Sequence, residues 1–317
     1  MIGELCSTSV VKSHCECDVR DTAFIFVITA HNCQPFIHPL VDSLKRQTYD
    51  NWRAVFVDDC STDGTVGTLR AALATRDLAD RIVVQESARR RYKACNVYRA
   101  LRSCSEDSDV IVMLDGDDRL ADNFALEILK AEYERGWHVV WANWGGSDGS
   151  RGGSYHLTPL LGPRRQPFVT SHLFSFRKWL FDAVLPRDLK DDHGDWFRAG
   201  CDLAIAWPVL EQTIRRKHIE RLLCIYNRAN PLSIDKAGRK YRRNVNEQQA
   251  RTQAILSRRS RKTAHRDIRF LTANLPYFAK AAVLNTRLVK KYWWTYRDIY
   301  RIRRSGVDSA PRTDIPR

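Results

Sequence analysis

The chain has 317 residues, 44% of them hydrophobic and 28% charged, with a net charge of +15. That composition is ordinary for a globular protein with an ample core, and no run approaches the roughly 18–20 apolar residues of a membrane-spanning helix. The charge excess is confined: residues 236–317 carry 22 Lys/Arg against 5 Asp/Glu, whereas residues 1–235 carry 30 against 32. A nucleic-acid-binding domain would be expected to carry its basic footprint with a readable motif, so nucleic acid is not the expected partner.

Nine cysteines stand at 6, 15, 17, 33, 60, 95, 104, 201 and 224, several inside apolar patterns. They are expected as reduced, packed thiols, not as a disulfide scaffold. The N-terminus lacks a basic start followed by an apolar stretch, so no signal peptide is expected.

Residues 1–21 form a leader, after which strand and helix patterns alternate. Phe24-Ile25-Phe26-Val27-Ile28 is a continuous apolar run, as in a strand covered on both faces. Beyond Pro35, Phe36, Ile37, Leu40, Val41 and Leu44 have helical spacing. Arg53 to Val57 forms a second strand that closes on the turn-rich run Asp58-Asp59-Cys60-Ser61-Thr62-Asp63-Gly64 and opens a helix. Ile82-Val83-Val84 is a short third strand. Ala94, Val97, Leu101 and Cys104 mark a helix, and a fourth strand runs from Asp109 to Leu114. A helix over about Phe124–Tyr133 and a strand at Val139-Val140-Trp141 follow. Gly145 to Gly153 reads by composition as a flexible loop, either a plain surface loop or a flap over a site.

This alternation predicts an α/β fold with a mostly parallel sheet, whose ligands bind beyond the carboxyl ends of the strands. Three polar clusters fall there: Thr29/His31/Asn32, Asp58/Asp59 and Asp115/Asp117/Asp118. The last is the most telling. Carboxylates this close disfavour one another's ionisation, and a divalent metal with its substrate phosphates is the natural counter-charge. A solvated acidic turn is the plain alternative.

With these residues in view, the chain resembles the family 2 glycosyltransferases of the GT-A fold over roughly residues 22–235. Val27-Ile28-Thr29-Ala30-His31-Asn32 is similar to that family's first strand and turn, and Val57 to Thr65 to its second motif. Asp115-Gly116-Asp117-Asp118 resembles its metal-binding signature. Gly200-Cys201-Asp202-Leu203, followed by Trp207-Pro208-Val209-Leu210-Glu211, resembles the segment with its catalytic base.

The resemblance implies an inverting, metal-dependent enzyme that moves a sugar from a nucleotide sugar, a UDP-sugar foremost, to a glycan or lipid-linked acceptor. Thr29 and His31 would flank the nucleobase, and Asp59 would accept a hydrogen bond from base or ribose. Arg91 and Lys93 would meet the diphosphate. Asp115 would meet ribose or sugar, Asp117 would bind Mn²⁺ or Mg²⁺, and Asp118 would contact the sugar or the groups around the metal. Asp202 would be the general base; as a short acid at a helix start it also reads as an N-cap. His172 and Trp196 are acceptor candidates, and Trp144 and Trp196 could stack on a sugar ring. Relatives often have a His where Asn230 stands, so the metal requirement rests on a changed position here.

Residues 236–317 read as a basic, mostly helical extension. Its Trp and Tyr beside Lys/Arg over 277–304 suit a helix lying on anionic lipid, and equally one packed on the catalytic domain with a solvated basic face. The expected location is cytoplasmic, peripheral at the membrane face if the extension binds lipid. The alternatives are an inactive GT-A-fold scaffold, a polyanion-binding protein, and a nucleotidylyltransferase. The last would carry a Gly-rich phosphate loop where this chain reads Ala30-His31-Asn32-Cys33-Gln34.

Overall fold

The computed structural model describes residues 21–103, 109–152, 154–157, 162–166, 168, 170, 172–231, 239–259 and 268–291. Eight strands form one sheet in the order β3-β2-β1-β4-β7-β6-β8-β5. The N-terminal half is parallel: β1 (Phe24–Ala30), β2 (Trp52–Asp58), β3 (Ile82–Glu86) and β4 (Val110–Asp115). β1 lies between β2 and β4, and its successive residues enter opposite cores, Phe24, Phe26 and Ile28 one and Ile25 and Val27 the other, which is why its run is apolar throughout. The other half is mixed. β7 (Ser175–Arg177) runs antiparallel to β4 and to β6 (Val139–Gly146); β8 (Arg216–Tyr226) is parallel to β6, and β5 (Arg119–Leu120) antiparallel to β8.

Helices cover both faces. α1 (Ile37–Lys45), α2 (Thr65–Arg76) and α4 (Ala125–Glu134) share one apolar core. α3 (Tyr92–Ser103) and α6 (Cys201–Leu210) share the other, while α5 (Trp179–Asp182) adds Leu180 and Phe181 to it. α1 shows the sequence logic: Ile37, Leu40, Val41 and Leu44 are each no more than 1% exposed. Burial at about 1.5–3 kcal/mol per large apolar side chain is what holds a nine-residue helix that would be marginal alone.

Parallel in-register pairing brings the polar clusters together. Thr29 is the register partner of Asp115 on one side and of Val57 on the other, and Ala30 is that of Asp58. At the end of β4 the backbone closes in: Gly116 N donates to Thr29 O at 2.9 Å. A Cβ on Gly116 would fall 2.5 Å from the Ala30 Cβ. Only glycine fits there.

The expected flexible loop at 145–153 is in part structure. Gly145 and Gly146 end β6, and Gly146 N donates to Ser150 O at 2.7 Å. Ser147 N donates to the β8 residue Tyr226 at 2.9 Å. Composition alone missed these backbone bonds.

The helices beyond residue 236 join the same cores. α7 (Arg239–Arg258) buries Leu256 in the α6 core, and its Thr252 hydroxyl donates to Ala199 O at 2.9 Å. Arg164 and Glu211, both nearly inaccessible, pair at 2.6 Å, and Arg164 also donates to Leu256 O. α8 (Ile268–Ala273) and α9 (Leu275–Lys291) set Phe270, Tyr277 and Phe278 around Trp137. Among the described residues no helix is long and apolar enough to cross a membrane, and the cysteines there are free. Of the lipid-facing pattern expected over 277–304, Tyr292, Trp293, Tyr296, Tyr300 and the arginines beyond them lie outside the described residues, as does the leader before Asp21.

Candidate active site

The β4 end, the start of α3 and the start of α6 meet around a cavity. Lys93, Asp115, Asp118, His172, Asp202 and Cys224 are among its lining. Lys93 sits at the second position of α3, where its ammonium reaches Asp115 at 2.6 Å and Asp202 at 2.7 Å. Burial works against the ammonium, but the two carboxylates outweigh it and hold Lys93 well above the ordinary lysine value. Burial likewise pushes Asp202 up; Lys93, by charge and hydrogen bond, reverses this and holds it below the usual aspartate value. An ionised carboxylate is the form a general base needs.

Asp202 does not act as the N-cap that its position suggested. Gly200, at φ 69° in the left-handed region, occupies the cap, and Asp202 stands one residue inside the helix with its side chain 42% exposed. Glycine takes that conformation without strain, which frees the acid to face the cavity.

Asp117 and Asp118 follow β4 into the interior. Burial pushes both carboxyls up, Asp118 well above the usual range, and Asp115 adds to this by repulsion. Asp118 accepts from Asn227 N at 2.8 Å, and Asp117 accepts from Asn230 Nδ2 at 2.7 Å. Both partners follow β8, so the strand that carries no motif delivers the groups that orient the acids. Asn230 stands against Asp117 as a hydrogen-bond donor, in place of the His expected from relatives.

Acids that favour protons when left to each other suit an added positive charge, and oxygen ligands suit a hard dication. The residues therefore fit a divalent cation. Asp118, His172 and Cys224 form a second, softer set whose donor atoms lie within 4.8 Å of one another. His172 packs edge-on to Trp144 at 5.1 Å and against Tyr226 at 4.7 Å, so it lines the cavity wall.

The Asp58–Asp59 pair is built differently. Asp58 accepts from Ser61 N at 2.9 Å and from the Ser61 hydroxyl. Asp59 accepts from Arg91 N at 2.7 Å, Tyr92 N at 3.0 Å and Arg90 Nε at 3.1 Å. His31 Nδ1 meets Asp59 O at 3.0 Å; burial, then Arg90, hold this imidazole below its usual value, so it is neutral near pH 7. Thr29 lies 3.5 Å from Asp115.

Thr29, His31, Asp59, Lys93, Asp115, Asp117, Asp118, His172 and Asp202 are thus gathered at the strand ends. Arg91 and Trp196 are not with them. Both line a separate pocket between the β3–α3 loop and residues 195–198. Sequence reasoning did not find the role of Lys93 as a bridge between two acids, nor Asn227, nor Arg90. The signal for Lys93 was its place beside the first turn of a helix ending at the sheet's carboxyl edge.

A parallel half-sheet with a metal-suited acid cluster at its carboxyl edge, faced by an acid on a separate helix, defines the GT-A glycosyltransferase class. The Glycosyl transferase family 2 profile matches residues 25–184, half of the chain, and the chain belongs to that family. Over 92 residues it is 28% identical to EpsE of Bacillus subtilis (strain 168), a match covering 29% of this chain and 32% of that protein. The fold is similar to that of S. aureus TarS residues 1–349 in complex with UDP-GlcNAc. The TM-score is 0.57 at 16% identity, over 74% of this chain and 66% of that one. It is also similar to the mannosyltransferase PcManGT of Pyrobaculum calidifontis in complex with GDP-Man and Mn²⁺. There the TM-score is 0.51 at 17% identity, over 86% and 76% of the two chains. The chain therefore spans about a third of EpsE and just under two thirds of the TarS structure.

Proposed function

We propose that the protein transfers a glycosyl group, with inversion, from a nucleoside diphosphate sugar to a hydroxyl of a glycan or lipid-linked acceptor. The observation that carries this reading is the Lys93 bridge, which holds Asp202 ionised beside the acid cluster. UDP is the first choice of nucleotide. The UDP-GlcNAc and UDP complexes of TarS support it, and GDP-Man and Mn²⁺ in PcManGT support a nucleotide sugar with a metal.

In this reading Asp202 takes the proton of the acceptor hydroxyl as its oxygen bonds to the anomeric carbon. The bond from that carbon to the diphosphate oxygen breaks, and the electron pair leaves with the nucleoside diphosphate. A bound Mn²⁺ or Mg²⁺, held by Asp117, would neutralise charge on that leaving group. Asp115, fixed by Lys93, and Asp118, fixed by Asn227, orient the sugar. Thr29, His31 and Asp59 shape the nucleoside end: neutral His31 offers an apolar face, and Asp59 acts chiefly by positioning the Arg90–Tyr92 loop. The work is done at the cytoplasmic side, with residues 22–235 as the catalytic part and the basic extension toward an anionic membrane.

Release of nucleotide from a panel of UDP-, GDP- and dTDP-sugars, with and without Mn²⁺ or Mg²⁺, tests the reading. Metal-dependent release from one donor, lost in Asp117→Ala, is the expected result. No release, together with no nucleotide sugar shifting the melting temperature, would overturn it and favour a scaffold.

A further inference from the structure

Asp118, His172 and Cys224 bring a carboxylate oxygen, an imidazole nitrogen and a sulfur within 4.8 Å of one another. Among the described residues this is the one set of three such donors that converges so closely. The three come from separate parts of the fold: Asp118 follows β4, His172 lies in the segment before β7, and Cys224 is on β8. Neither Asp115 nor Asp117 belongs to the set, and Asp117 does not line the cavity that the three share. The acids after β4 thus divide. Asp117 turns to Asn230, and Asp118 turns to a histidine and a thiol.

The three donors are held in place. Asn227 N donates to one oxygen of Asp118 at 2.8 Å, and the other oxygen lies 3.7 Å from His172 Nδ1. Trp144 and Tyr226 pack against the His172 ring. Cys224 is 1% exposed, is a free thiol, and is the register partner of Leu120 on one side and of Trp144 on the other. Ligand atoms on a tetrahedral zinc stand about 3.3–3.8 Å apart, so the Asp118–His172 separation already suits, and the sulfur has to move by no more than about an ångström. A second observation points to a ligand at the same place. Thr170 is 1% exposed and lines the cavity, and its hydroxyl has no hydrogen-bond partner. Buried hydroxyls are rarely left unpaired.

From this geometry we infer that Asp118, His172 and Cys224 form a three-ligand zinc site whose fourth position opens to the cavity, distinct from the place of the Mn²⁺ or Mg²⁺ that serves the leaving group. A thiolate beside an imidazole selects a thiophilic ion, whereas hard Mg²⁺ and Mn²⁺ prefer oxygen. Binding sends the Cys224 thiol proton to solvent. The fourth ligand is a water, for which the Thr170 hydroxyl is a partner. The consequence for activity rests on the proposed transferase reading: zinc takes the Asp118 carboxylate that orients the sugar, so zinc inhibits transfer. The site itself does not depend on that reading.

The test is titration of the reduced, metal-free full chain with Co²⁺, which replaces Zn²⁺ in such sites and reports a bound thiolate by a near-ultraviolet charge-transfer band. All samples carry Cys15→Ser and Cys17→Ser, which remove the cysteine pair beside His14. A band that saturates at one Co²⁺ per chain, is bleached by one equivalent of Zn²⁺ and is retained in Asp117→Asn is expected. Cys224→Ala should abolish the band. His172→Gln, a milder change at a partly exposed residue, should weaken Co²⁺ binding at least about tenfold. Circular dichroism matching the parent's checks that both variants are folded. No band, a band at full height in folded Cys224→Ala, unaltered affinity in His172→Gln, or loss of the band in Asp117→Asn would overturn the inference. The last would assign the ion to the Asp117 acids. The titration uses neither donor nor acceptor. A chain that shows the band but releases no nucleotide from any donor keeps the zinc site and loses the transferase reading, and the inhibition with it. A chain that releases nucleotide without the band does the reverse.

Discussion

Two acidic pairs stand at neighbouring strand ends, and the fold treats them in opposite ways. Asp58 and Asp59 are surrounded by donors from their own chain: Ser61, Arg90 and the Arg91 and Tyr92 backbone. Asp117 and Asp118 each receive one bond from the residues after β8; beyond these and His172, 3.7 Å from Asp118, they face each other and Asp115. The first pair is complete and shapes a loop. The second is short of positive charge and is built to receive it. Adjacent Asp residues that look alike in a sequence are separated by who satisfies them.

The largest expected effect comes from the acid that α6 brings to the cluster through Lys93. Asp202→Asn should lower transfer by about 10²–10⁴-fold, the usual worth of a general base, with donor binding retained in a nucleotide titration. Stability sharpens the contrast. Asp59→Ala orphans two backbone N–H groups and should cost about 1–3 kcal/mol in urea unfolding. Asp117→Asn, which removes a crowded charge and keeps the shape, should leave the midpoint unchanged or raise it in metal-free buffer. If both lower stability equally, the distinction fails.

Lys93 offers a finer test. Removing the ammonium in Lys93→Met leaves burial opposed only by the smaller influence of His172, so the folded value of Asp202 rises. The acidic limb of the kcat/KM profile should move to higher pH, with activity lost first at low pH; an unmoved limb would mean that Lys93 does not set the base. The smallest effect lies away from the site. Burial, then His156, pushes His218 down to about 3, so between that value and its unfolded 6.5 the unfolded chain binds more protons. Stability is therefore full above 6.5 and falls as pH drops, by roughly 1–2 kcal/mol between pH 7 and 5. A melting series in which His218→Gln flattens that slope is the check.

Much of this was legible in the residues. The apolar runs of β1, β2 and β4 announce buried parallel strands, and the motif acids stand where those runs stop. β8 was not legible, because Arg216, Lys217, Glu220 and Arg221 interrupt its apolar pattern. It pairs β6 across a bulge and has half-open faces, so neither a continuous nor an alternating pattern marks it. The partners of Asp117 and Asp118 arrive with it, and so could not be inferred. Arg91 and Lys93, two residues apart around the start of α3, point apart, Lys93 to the acids and Arg91 into the second pocket.

The brace beneath α6 limits how this chain can be divided. The glycine that caps α6 has the Thr252 side chain of α7 3.2 Å from where its Cβ would be, and the same threonine holds Ala199. The helix bearing Asp202 thus rests on the basic extension. A truncation at 235, drawn where composition changes, would remove the brace and its buried Leu256 together. In modular terms the extension is no interchangeable appendage: a chimera that exchanges it must keep Thr252 and its surroundings to retain the catalytic geometry.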